Sequence, residues 1–146
     1  MATALQFSDH SQEALRYIAQ AHAILDELDK EFPRIHEYKL YSILNREGSI
    51  YTRLDQLDKA EESLQKSLQL AANLASRMPL AHSADLATAK MEMSGLNYVL
   101  GKNEEARKGF CQALDIFRRL QTKEPVYDHP IATVLHNLGV ICRHEE

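Results

Sequence analysis

LDQLDKAEESLQKSLQLA, from Leu54 to Ala71, and LGKNEEARKGFCQALDIF, from Leu100 to Phe117, are two copies of one pattern, 46 residues apart. Ala60 aligns with Ala106, Leu64 with Phe110, Ser67 with Ala113 and Ala71 with Phe117. A third copy lies one interval earlier, with Ala14, Ile18, Ala21, Leu25 and Leu28. Pro33, Pro79 and Pro125 keep the same spacing, and Asp9, Asp55 and Gly101 align where a tight turn is expected. Within one copy the series 14, 18, 21, 25, 28 steps by four and three, which sets all five side chains on one stripe of a helix. Small residues at the first and third positions let a neighbouring helix approach closely, and the larger ones fill the space between helices. A single enzymatic core has no reason to echo itself in this way. Stacked helix pairs do, because each unit buries its apolar face against the next. The repeat therefore predicts an all-α solenoid of about six antiparallel helices with a 46-residue period.

Composition excludes several alternatives. The 146 residues hold one domain of ordinary size, here 1–146. Helix-favouring residues dominate, and the glycines and prolines fall mainly between periodic stretches. A net charge of −4 speaks against a nucleic-acid binder, which usually carries a basic stripe. No apolar run approaches the roughly 20 residues that span a bilayer. The N-terminus, MATALQFSDH, lacks the basic and apolar segments of a secretory signal. Cys111 and Cys142 are too few for a disulfide framework and are expected as buried, reduced thiols of a cytoplasmic protein.

The expected elements follow from the punctuation. Residues 1–10 form a lead-in, and Ser11 caps a helix that runs to Phe32, where Pro33 interrupts it. Further helices are expected over about 34–54, 58–76, 83–100, 104–121 (capped by Asn103) and 131–144. Thr122 to Pro130 is expected as a loop. The last helix is expected to carry Ile131, Leu135, Leu138 and Cys142 on one apolar face.

These residues resemble the tetratricopeptide repeat (TPR). Its second-helix pattern has a turn glycine, an alanine five residues on, a large apolar residue after four more and an alanine after three more. Gly101, Ala106, Phe110 and Ala113 match it fully; Asp55, Ala60, Leu64 and Ser67 match with two departures. Asp9, Ala14, Ile18 and Ala21 repeat it again. The first-helix pattern is similar to ILNREGSIY, with Leu44, Gly48 and Tyr51, and to VLHNLGVIC, with Leu135, Leu138 and Gly139. In the middle copy either Ser94 takes the small position, or Gly95 and Tyr98 do the work after a one-residue deletion. The 46-residue unit exceeds the usual 34 of a TPR, and His129–Cys142 is locally similar to the long repeats of kinesin light chains. Calling the second helix B and the first A, the order is B-A-B-A-B-A. The terminal faces then belong either to a longer array or to self-association, with a homo-oligomer joined through its terminal helices.

The resemblance implies a protein-interaction scaffold, not an enzyme. First helices would line a concave groove that binds a peptide or helical segment of a protein partner. The groove residues would be Asn45, Arg46, Ser49 and Arg53 on the second helix. Met91, with Thr88, Glu92 and Gly95, would come from the fourth, and His136 and Asn137, with Thr133 and Val140, from the last. Asparagine is a mediocre helix former whose amide can hold a peptide backbone through both donor and acceptor. Arg46 and Arg53 suit a ligand with acidic and apolar residues, although Met91 and Glu92 stand where a carboxylate clamp would need further cations. A dimerisation module or a TPR-type secretion chaperone is the competing reading. No metal or cofactor is expected: the seven histidines show no HxxxH spacing, and no phosphate-cradling glycine loop occurs. Acid pairs such as Glu61-Glu62 and Glu104-Glu105 fall in first turns, where they complement the helix dipole.

Overall fold

The computed structural model describes residues 2–32, 34–123 and 125–144. Among them are six α-helices and no strand: α1 (Ala2–Glu31), α2 (Glu37–Arg53), α3 (Leu57–Arg77), α4 (Pro79–Val99), α5 (Asn103–Gln121) and α6 (Asp128–His144), with a 3-10 turn over Pro125–Tyr127. The fold is an all-α helical repeat. It divides into two compact units, residues 1–70 and 71–146. Pro33, the expected break after the first helix, lies outside the described residues.

Several boundaries differ from expectation for local reasons. The expected lead-in is helical, because Ala2–Phe7 holds helix-compatible residues with neither glycine nor proline. Ser11 is thus inside α1 and caps nothing. Asp55 and Gly101 do make turns, each with positive φ, at 58° and 74°. Asp9, their counterpart, continues α1, since nothing before it forces the chain to reverse. Pro79 begins α4 at its first position, where a missing N–H costs nothing, so α4 starts before residue 83. Asn103 is the first residue of α5, after Lys102 at the cap. Pro130 is tolerated in the first turn of α6, which absorbs the end of the expected loop.

In the first unit, α2 meets α3 through Gly48. A Cβ at this position would collide with the side chain of Leu64, so only glycine lets the two helices cross at this separation. Polar groups complete the crossing. Ser63 Oγ donates to Glu47 Oε2 at 2.8 Å, and Ser67 Oγ donates to Asn45 Oδ1 at 3.3 Å. Lys59 Nζ lies 5.5 Å from the Tyr51 ring centre, a cation–π distance. The α1 residues Ala14, Ile18, Ala21, His22 and Leu25 are half-buried.

The second unit has the denser core. Ala87, Ala106, Phe110, Ala113, Leu114, Phe117, Ile131, Val134 and Ile141 are buried together, with Met91, Tyr98 and Leu138 packed against them. The α4–α5 crossing is set by Ser94 over Gly109, where an added Cβ would collide with Ser94 Oγ. Ser94 is thus the small residue of the middle copy, and the unbroken 46-residue register holds there. A Cβ on Gly95 would meet nothing within 4 Å. The buried stripe of α6 is Ile131, Val134 and Ile141 with half-buried Leu138. The expected stripe erred by one position at each of two steps: Leu135 and Cys142 are exposed. Cys111 is exposed as well, because one residue of helix turns it about 100° away from buried Phe110. The thiols are not core groups.

Candidate functional site

The residues singled out on α2 differ in their exposure. Arg46 and Arg53 are exposed, while Asn45 and Ser49 are half-buried. The side-chain oxygen of Asn45 accepts the Ser67 hydrogen bond, so part of this amide is committed to holding α2 against α3. Thr52 Oγ1 donates back to the Gly48 carbonyl at 2.9 Å. Partial burial, and then the nearby Glu47 carboxylate, raise the Tyr51 phenol above its ordinary value.

In the second unit, Gly95, Tyr98, Phe110, Asn137 and Val140 line a partly open pocket of about 80 Å³. Three elements build it. Gly95 and Tyr98, three residues apart on α4, form one wall. Asn137 and Val140, also three apart, form the facing wall on α6. Phe110 of α5 closes the base. The absence of a side chain at Gly95 leaves the space open. Asn137 supplies an amide in an otherwise mainly apolar lining.

This pocket gathers three of the expected groove residues, Gly95, Asn137 and Val140. It does not include Met91, which packs against the core, nor His136, which is exposed outside it. Thr88 and Thr133 donate to the carbonyls of Ala84 and His129 on their own helices, at 2.9 and 3.1 Å. Tyr98 and Phe110 are the lining residues that sequence reasoning missed. Phe110 reads as core from its stripe position, and the core role is correct as well. The signal for Tyr98 was its three-residue spacing from Gly95.

Among the described residues, no cluster of three or more His, Cys, Asp or Glu could hold a metal ion. No helix is long and apolar enough to cross a membrane.

Residues 41–74 match the family model described as tetratricopeptide repeat. The match runs from Tyr41 on α2 to Leu74 on α3 and contains the Gly48–Leu64 crossing. The chain carries a tetratricopeptide repeat in this stretch. Neither the curated proteins nor the solved structures compared with it gave a match. Repeats of this class are protein-interaction modules and generally not enzymes, so the coarse role is that of a scaffold with protein partners.

Proposed function

We propose that this scaffold binds a peptide or helical segment of a partner protein and anchors one of its aliphatic side chains between α4 and α6. The pocket lined by Gly95, Tyr98, Phe110, Asn137 and Val140 carries this reading. Its volume is well below the roughly 150 Å³ that admits benzene, so it suits a valine or leucine side chain better than an aromatic one. Asn137 at its edge can donate to and accept from the ligand backbone beside that side chain. Separately, Arg46 and Arg53 on α2, in the first unit, suit an acidic segment of a partner. At exposed positions this attraction is modest and weakens with salt.

Gly95→Leu tests the reading. It fills the pocket from a position with open space around it, and it replaces glycine within a helix by a better helix former, so the fold gains stability. On an array of acidic-apolar peptides, the wild-type protein should capture a subset that Gly95→Leu releases. Equal capture by both proteins would refute pocket binding.

A further inference from the structure

On α3 and α5 one face meets the helix before it. The contacts are those of Lys59, Ser63 and Ser67 with α2, and of Gly109 with Ser94 on α4; Gln112 Oε1 also accepts from Lys90 Nζ at 2.8 Å. Ala60, Ser67, Ala106 and Ala113 on this face are fully buried. The counterparts one repeat earlier, on α1, are Glu13, Ala14, Tyr17 and Ala21, followed by Ile24 and Leu28. Spacings of three and four keep Ala14, Tyr17, Ala21, Ile24 and Leu28 on one side of the helix. Tyr17 and Ile24 are 63% and 62% exposed. The face that takes a first-type helix elsewhere is therefore open on α1, and it carries larger apolar residues.

The matching half is on α6. Aligning VLHNLGVIC with ILNREGSIY makes Leu135 the counterpart of Leu44 and Gly139 that of Gly48. Leu44 is 5% exposed, whereas Leu135 is 44% exposed. A Cβ on Gly48 would strike Leu64, but one on Gly139 would meet nothing within 4 Å. This is the side of α6 away from the pocket residues Asn137 and Val140, so the two surfaces do not compete.

We infer that α6 of one copy of the chain packs on α1 of a second copy, in the antiparallel register of the α2–α3 hairpin. In that hairpin Gly48 lies opposite Ser63 and Leu64, Asn45 opposite Ser67, and Tyr51 opposite Lys59. Transferred to α6 and α1, the register sets Gly139 opposite Tyr17 and Ile18, His136 opposite Ala21, and Cys142 opposite Glu13. The bulk of Tyr17 falls where Gly139 leaves room. Leu135 reaches Ala21 and Ile24. Arg143 comes beside Glu13, an opposite-charge pair at the edge. The occupant of α1 is thus a second copy, and the contact is heterologous: each chain offers two different faces.

The test uses Ile24→Glu and Leu135→Glu, both at exposed positions, in sedimentation equilibrium under reducing conditions from low to high micromolar protein. Wild-type protein should gain average mass with concentration. Each variant alone should associate at least about tenfold more weakly. An equimolar mixture should recover a species that stops at two chains, because one variant keeps an intact α6 face and the other an intact α1 face. A wild-type chain that stays monomeric overturns the proposal. So does a Leu135→Glu variant that associates like wild type, which would mean that α1 pairs with α1. A mixture that stays monomeric overturns it as well. If either glutamate lowers the melting midpoint, Ile24→Ser and Leu135→Ser repeat the same comparison with a milder change.

Discussion

The α2–α3 and α4–α5 hairpins meet the same geometric requirement with opposite choices of residue. At the first crossing the small residue is on the leading helix, Gly48, and buried Leu64 of the following helix reaches over it. At the second, the leading helix carries Ser94 and the following helix gives way with Gly109, while Phe110 is buried beside it. What the two crossings share is a glycine set against a side chain of the facing helix, on the leading helix in one and on the following helix in the other. Interiors are packed densely enough that a single extra carbon is felt. The stretch that matches the family model, residues 41–74, contains the crossing with glycine on the leading helix.

The largest effect should come from removing the knob of the first crossing. Leu64→Ala should cost about 2–5 kcal/mol, since Leu64 is fully buried and the helices cannot close the gap completely. Gly48→Ala should cost about 1–3 kcal/mol through overpacking. Combined with Leu64→Ala it should cost less than it does alone. Urea unfolding of the four proteins measures this coupling, and strict additivity would show that the two residues do not share the contact.

At the second crossing the penalty should be milder. Gly109→Ala meets first the hydroxyl of Ser94, which donates to the Lys90 carbonyl at 2.7 Å, and behind it Ser94 Cβ at 3.3 Å. The expected cost is about 1 kcal/mol, at the low end of the overpacking range. In a Ser94→Ala background the part of that cost due to the hydroxyl should vanish, while the 3.3 Å contact with the Cβ at position 94 remains.

The turns give the smallest contrast. Asp55 and Gly101 both occupy left-handed backbone, which glycine adopts freely and other residues do not. Gly101→Asp should cost about 0.5–1 kcal/mol, and Asp55→Gly should be close to neutral, because aspartate is among the residues that tolerate this region. Thermal melts of the two variants should therefore move unequally. Equal shifts would mean that the turns are not equivalent in environment.

Much of this fold was legible in the sequence because repetition supplies its own control. A single amphipathic stretch fixes neither register nor neighbours, but Ala60 and Ala106 in step mark a buried crossing, and both are fully buried. The ambiguity at Ser94 and Gly95 could not be resolved from one chain, because serine and glycine are both small. It took the position of Gly109 across the contact to decide it. The stripe on α6 was misjudged for a related reason. Val134, Leu135, Leu138, Ile141 and Cys142 offer two overlapping apolar stripes, and only packing against α5 selects between them. The start of α1 failed differently: an Asp at a repeat position suggested a turn, and the helix-forming residues before it prevailed. For the candidate site, Gly95, Asn137 and Val140 were named from the register that the resemblance implies. Tyr98 was not, because the shape of a pocket depends on which side chains are absent as much as on which are present.

The two exposed thiols have a practical consequence for any bench worker. Cys111 and Cys142 stand on different helices and face water. In aerated buffer they can cross-link separate molecules and mimic a specific complex on a sizing column. The same accessibility makes them ready-made attachment points: a maleimide dye on Cys142 reports from the face beside Gly139, and one on Cys111 serves as its internal reference on α5.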